Sequence, residues 1–194
     1  MRPFAGFLLR FFAFAGALFA LWNFAGAADA YGRIVAFAAE PLMWLTSGFS
    51  VAKTVSTPVG LEIILGRGKL EVPMPMHARE MFSGLIPFLA LLGASTDVAW
   101  RVRLRALGIG LAVLFAFHIG LMLFGPYMTG EPQASLSLVW VRRVNKLIDV
   151  LYGFYGLVGY AALPFLLWFW LVRSHTAEGL FARAAAAEPL PRRK

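Results

Sequence analysis

The side chains in this sequence that are able to do chemistry are few, and most lie within or beside apolar stretches. His118 stands in a long apolar stretch with no charged neighbour, so it is a candidate proton relay or general base. Its structural alternative is a neutral imidazole, hydrogen-bonded to a backbone carbonyl or to a facing hydroxyl. Ser83 is a candidate nucleophile only if His77 or His118 lies within hydrogen-bond reach, because serine needs an adjacent base.

Polar residues at the edges of apolar stretches form a second set of candidates. Asp149 follows Asn145 by four residues and Lys146 by three, so it is either an interface anchor paired with lysine or a functional carboxylate. Arg79 and Glu80 precede Ser83 at the mouth of another apolar stretch. The candidate binding residues are therefore Arg79, Glu80, Ser83, His118, Asn145 and Asp149. No catalytic residue is assigned.

Composition excludes several classes of chemistry. The chain has no cysteine, which removes disulfides, thiolate metal ligands and a cysteine nucleophile. No histidine, carboxylate or glycine-loop arrangement has the spacing of a metal or nucleotide site, so neither a metal nor a cofactor is expected. The net charge is +8, but the basic residues flank apolar stretches instead of forming a soluble basic surface. A nucleic-acid partner is therefore not expected.

Four apolar stretches must position these residues. Hydrophobic residues make up 60% of the 194-residue chain and charged residues only 14%. The stretches are Phe11–Ala28, Met81–Trp100, Ala106–Phe124 and Leu147–Val172. Each is long enough to cross a hydrocarbon core of about 30 Å at about 1.5 Å per residue. The sequence therefore predicts an integral membrane protein with about four transmembrane helices, embedded in membrane lipid.

Basic residues predict the orientation. A short loop carrying Arg101, Arg103 and Arg105, together with the basic C-terminus, is typical of cytoplasmic flanks under the positive-inside rule. We expect one membrane domain over residues 1–176 and a cytoplasmic basic tail over 177–194. Asp97 and Arg101, four residues apart, predict a surface ion pair. The first stretch also resembles a signal peptide cleaved near Ala25–Ala30, but its apolar run is longer than a usual signal core, so we favour a retained helix.

Two further elements are expected on the outer face. Ile34–Ala52 is apolar but contains Glu40 and Pro41, which favours an interfacial or re-entrant amphipathic helix over a span. Alternating apolar residues on both sides of Gly66-Arg67-Gly68 predict a β-hairpin at about 59–76. The predicted fold class is thus an all-α membrane protein with about four transmembrane helices, an outer amphipathic helix and a small β-hairpin.

From the hairpin onward, the order of features resembles the exosortase/archaeosortase family of membrane transpeptidase-like enzymes. The resemblance covers roughly residues 40–172 and rests on four segments, which read MFSGLIPFLALLGAS, WRVRLRALGIGLAVLFAFHIGLMLFG, NKLIDVLYG and PFLLW. In that family the first segment carries Cys-Ser-Gly, the second carries Asn-x-x-Arg, and the third has a histidine that often precedes aspartate. The cysteine, arginine and histidine form the family's proposed catalytic set at the outer face.

This chain departs from the family at each of those positions. Phe82 precedes Ser83 where the family has cysteine, His118 matches the asparagine, and Leu121 falls at the arginine. Ile148 stands where the histidine would precede Asp149. Because the nucleophile of that chemistry is a thiolate, a sortase-type reaction is not expected. The resemblance instead implies a non-catalytic, exosortase-like accessory protein of the bacterial inner membrane, which binds an active cysteine-containing exosortase-like enzyme or its substrate's C-terminal sorting helix.

Two other functions stay open at the level of sequence. One is a membrane hydrolase or transferase that uses Ser83, His118 and Asp149. The other is a subunit of a transporter or a bioenergetic complex. A proton or ion path normally needs several ionisable groups at membrane depth, and only His118 is such a group here. A bound pigment or haem would revive the last possibility, with His118 as the axial ligand.

Overall fold

The fold is mostly helical with one small antiparallel sheet. A computed structural model of the chain describes residues 2–57, 60–73, 78–128, 150, 153 and 162–173. Its helices are α1 (Arg2–Phe24), α2 (Ala27–Ser47), α3 (Ala78–Met81), α4 (Leu85–Ala94), α5 (Trp100–Met128) and α6 (Leu163–Trp168), the last continued by a π-helical turn over Phe169–Arg173. The strands are β1 (Ser50–Thr57), β2 (Gly60–Arg67) and β3 (Leu70–Pro73).

Helix α2 confirms a helix over residues 34–47 of the predicted Ile34–Ala52 region, but it begins earlier, at Ala27, and residues 50–52 belong to β1. It runs through Pro41 and ends at Gly48, whose positive φ of 72° lets its N–H donate to the carbonyl of Trp44. Its buried residues recur at helical spacing and are mostly small: Ala28, Gly32, Val35, Ala36, Ala39 and Met43. Small side chains let helices approach closely, and this side of α2 packs against α5.

The sheet confirms the predicted hairpin and adds a strand. Strands β2 and β3 pair antiparallel around a turn at Gly68, with Arg67 opposite Leu70. Strand β1, which the sequence did not predict, pairs with the other edge of β2, from Ser50 opposite Gly66 to Thr57 opposite Gly60. The alternation in β2 buries Leu61, Ile63 and Leu65 completely, so this face of the sheet joins the core.

Four transmembrane helices are not supported. Within the part of the chain that the structure describes, two helical segments are long and apolar enough to cross a membrane, Phe4–Phe24 and Trp100–Leu123. Leu85–Ala94 and Leu163–Val172 are shorter apolar helices. A ten-residue helix is about 15 Å long, half of a hydrocarbon core.

The prediction of one span over Met81–Trp100 was wrong. The chain turns at residues 82–84 between α3 and α4, and leaves the helix again after Ala94. Ser95 stabilises this second break: its hydroxyl donates to the carbonyl of Leu91 and accepts from Nε1 of Trp168 on α6. Hydrogen bonds from a serine side chain to the nearby backbone compete with continuation of the helix, and the bond from Trp168 holds this break against α6.

The prediction of a loop at Arg101–Arg105 was also wrong, because these residues form the first turns of α5. The connection between α4 and α5 lies at residues 95–99 instead. The predicted span over Leu147–Val172 is described only in part, and residues 162–173 of it are helical. The predicted tail at 177–194 lies outside the described residues.

Close helix contacts fix α4 between α1 and α5. A Cβ placed on Gly110 of α5 would lie 1.9 Å from Cζ of Phe88, so the Phe88 ring occupies the space that a side chain would need. A Cβ on Gly93 would lie 3.0 Å from the ring of Phe14 on α1. Glycine at these two positions lets a phenylalanine of the neighbouring helix lie against the backbone.

Candidate functional site

Four aromatic side chains from three parts of the chain meet between α2 and α5, and we call them the aromatic cluster: Tyr31, Phe82, Phe115 and His118. The ring centroids of Phe82 and His118 are 4.9 Å apart, and those of Tyr31 and Phe82 are 5.5 Å apart. Tyr31 also meets Phe115 edge-on at 6.3 Å. Such tilted and edge-on arrangements are the favoured geometries of aromatic pairs.

His118 has a specific hydrogen-bond partner. Its Nδ1 lies 2.9 Å from the hydroxyl of Tyr31, a residue 87 positions earlier in the sequence. Burial raises the pKa of Tyr31, so the phenol keeps its proton at neutral pH and can donate it to Nδ1. Of the readings that the sequence left open for His118, the facing hydroxyl is the arrangement observed.

The aromatic cluster has a half-buried side, formed by Tyr31 and Phe115, and a buried side. Phe82 and Leu121 are fully buried, and His118 is only 1% exposed. Leu114 and Met122, which neighbour Phe115 and Leu121 in the sequence of α5, are also fully buried. Phe82, His118 and Leu121 are the residues that the family resemblance would align with cysteine, asparagine and arginine.

Arg79 lies at the edge of this cluster and joins three elements. Its Nε is 3.9 Å from Oδ1 of Asp29 at the start of α2, and its carbonyl accepts a hydrogen bond of 3.1 Å from Nε1 of Trp22. The arginine stem lies against Gly60, since a Cβ there would be 3.0 Å from Cγ of Arg79. Arg79 therefore ties the ends of α1 and α2 to the first residue of β2.

Ser83 and Glu80 do not have the geometry of a nucleophile hydrogen-bonded to a side-chain base. The hydroxyl of Ser83 donates to the backbone carbonyl of Glu80 at 2.9 Å, while the Glu80 side chain is exposed. Among the described residues, no hydrogen bond joins Ser83 to His118. The serine–histidine pair that the hydrolase hypothesis needs is thus not formed in this arrangement.

The remaining sequence candidates are not described. Asn145, Asp149 and His77 lie outside the described residues. Within the described part of the chain, no group of three or more histidine, aspartate or glutamate side chains is placed to hold a metal ion.

Sequence reasoning did not identify Tyr31, Asp29 or Trp22 as part of this region. A signal existed for the first two, since Asp29, Tyr31 and Arg33 are spaced two apart in an otherwise alanine-rich segment. Their partners Arg79 and His118 are distant in sequence, so the pairing itself had no local signature.

Comparison with known proteins finds no relative: no protein-family model, no curated protein and no solved structure matches the chain. The class that the fold defines is a mostly helical protein with a small antiparallel sheet and two candidate membrane-spanning helices.

Proposed function

We propose that this chain is a multi-pass protein of the bacterial inner membrane that serves as a non-catalytic, exosortase-like accessory protein. In this role it binds an active exosortase-like enzyme, or the C-terminal sorting helix of that enzyme's substrate. Its C-terminus lies in the cytoplasm, and the sheet lies on the opposite side of the membrane.

Exposed apolar side chains support the membrane location. Phe24 on α1 is 84% exposed, Phe37 on α2 is 79% exposed, and Trp170 after α6 is 67% exposed. Along α1 the exposed apolar residues recur from Phe4 through Leu9 and Phe19 to Phe24, and water-soluble monomers rarely leave large apolar surfaces uncovered. Lipid chains accept them without penalty, and the two long apolar helices have the length that a bilayer requires.

The observation that carries the non-catalytic role is the burial of Phe82 against His118. By resemblance, Phe82 stands where the family has its cysteine, and it is fully buried 4.9 Å from the imidazole centroid. A bulky ring here removes the nucleophile and also occupies the space beside it. A pocket filled in this way keeps the framework of the fold available for binding while it prevents the thiol chemistry.

Gentle detergent extraction from native cells, followed by mass spectrometry of the co-purifying proteins, tests this function. We expect an abundant membrane protein that carries intact cysteine, arginine and histidine motifs. Recovery of the chain alone, or only with copies of itself, would contradict the accessory role.

A Ser83→Ala variant separates this proposal from a serine hydrolase. The substitution removes one hydrogen bond to the Glu80 carbonyl, so the variant should fold, retain the same partner and support the same cellular phenotype. A variant that folds and keeps its partner but loses the phenotype would favour catalysis by Ser83. Pigment or haem in the purified complex would favour a bioenergetic subunit instead.

A further inference from the structure

A cavity of about 490 Å³ opens on the surface between α5 and the π-helical turn that follows α6, away from the aromatic cluster. Its basic lining residues are Arg101 and Arg105, and its other walls are apolar: Val102, Ala106, Ile109, Trp170 and Leu171. The combination of guanidinium groups with apolar walls indicates a ligand that has both an anionic and a hydrocarbon part.

Among the residues that the structure describes, the two guanidinium groups have no acidic partner to neutralise them. Within the described residues, neither Arg101 nor Arg105 forms an ion pair, and the ion pair predicted between Asp97 and Arg101 is not formed. Arg103, on the same helix, differs from both because its guanidinium lies 5.2 Å from the ring centroid of Trp100. Two unpaired cations beside one cavity favour an anion that comes from outside the chain.

The order of the lining residues along α5 matches the shape of a lipid. Arg101, Arg105 and Ile109 recur every four residues, so they follow one face of the helix. That face changes from basic to apolar over about 12 Å. The basic part lies in the first turns of α5, where the helix dipole also favours a negative group, and Trp170 is of the type that concentrates at membrane interfaces.

We propose that this cavity binds an anionic phospholipid. Arg101 and Arg105 hold the phosphate of the headgroup, and an acyl chain lies along Ile109 and Leu171. This inference rests on the membrane location proposed above, but not on the accessory function.

Native mass spectrometry of the purified full chain tests the proposal, with phosphatidylglycerol and phosphatidylcholine supplied at equal concentration. Since each basic group near anionic lipid favours it about fivefold, wild type should retain phosphatidylglycerol roughly 25-fold over phosphatidylcholine. The double variant Arg101→Gln/Arg105→Gln should lose this preference. The matched control Arg103→Gln removes a charge from the same helix outside the cavity and should keep it.

Two further measurements complete the test. Competition with inorganic phosphate separates a lipid site from a simple anion site, and insertion into vesicles separates failure of the lipid site from failure of the membrane location. Inorganic phosphate should not displace the bound phosphatidylglycerol, because the apolar walls hold the acyl chain. Displacement by phosphate would make this an anion site and overturn the lipid proposal. Equal retention of both lipids by a chain that inserts into vesicles would overturn the lipid site alone, whereas failure to insert would overturn the membrane location as well.

Discussion

Polar side chains toward the two ends of helix α5 differ in burial and in pairing. His118 is buried, hydrogen-bonded to Tyr31 and packed against Phe82. About 20 to 25 Å away along the same helix, Arg101 and Arg105 line an open cavity and have no ion-pair partner among the described residues. One end satisfies its polar group within the protein, and the other leaves its charges without an ion pair among the described residues.

This difference indicates which region to examine for chemistry and which for binding. The buried end coincides with the positions that the family resemblance would align with catalytic residues, and there Phe82 and His118 are buried against each other. The open end has no counterpart in the catalytic motifs, yet its charges are available.

The largest effect on stability is expected from removing the Phe82 ring at the buried end. Phe82→Ala removes a fully buried ring and leaves a cavity beside His118, so the free energy of unfolding should fall by about 3 kcal/mol. Denaturant unfolding in mild detergent measures this. Phe12→Ala, on an exposed ring of α1, is the control and should change stability by less than about 0.5 kcal/mol. Equal effects of the two substitutions would mean that the cluster is not packed as described.

A smaller loss is expected where α4 packs on α5 between the two ends. Gly110→Ala would put a methyl group against the Phe88 ring and should destabilise the protein by about 2 kcal/mol. The control Gly108→Ala meets nothing within 4 Å and should be neutral, or stabilising by up to about 1 kcal/mol. Thermal melting of both variants decides this, and a neutral Gly110→Ala would contradict the close approach of the two helices.

The hydrogen bond at the buried end should contribute about 1 kcal/mol. Tyr31→Phe removes the hydroxyl and leaves Nδ1 of His118 without that partner. His118→Leu removes the imidazole and leaves the Tyr31 hydroxyl without that partner. A double-mutant cycle should therefore find the double variant less destabilised than the sum of the single variants. Strict additivity would argue against the bond.

The smallest effect on stability is expected at the open end. Arg101→Gln/Arg105→Gln removes charges that have no ion-pair partner among the described residues, so in lipid-free detergent the free energy of unfolding should change by less than about 0.5 kcal/mol. A loss comparable to that of Phe82→Ala would mean that the arginines stabilise the fold itself. The contrast between unchanged stability and lost lipid binding would define this end as a binding surface.

Sequence patterns predicted those elements whose signal is local. Alternation in Leu61, Ile63 and Leu65 was sufficient to predict the hairpin, because a period of two is specific to strands. Strand β1 was missed because its residues, SVAKTVST, are small and polar and bury little. Its pairing depends on β2, which supplies the apolar face.

Helix boundaries and side-chain partners depended on contacts that sequence does not reveal. At the break after Ala94, the Ser95 hydroxyl donates to the carbonyl of Leu91 and accepts from Nε1 of Trp168, 73 residues away. The arginines at 101–105 were expected in a loop because charge suggested a membrane boundary, but arginine is a good helix former and the helix simply begins before them. For His118 the type of partner was anticipated and its identity was not, since Tyr31 lies on another helix.

The most direct test asks whether the sheet and the α4–α5 connection lie on opposite sides of a membrane. The chain has no cysteine, so single substitutions Lys69→Cys and Asp97→Cys, both at exposed positions, give unambiguous labelling. In intact spheroplasts, an impermeant maleimide should label Lys69→Cys, whereas Asp97→Cys should react only after the membrane is permeabilised. Labelling of both cysteines from the same side would contradict the proposed topology and, with it, the placement of the aromatic cluster and the lipid cavity within a membrane protein.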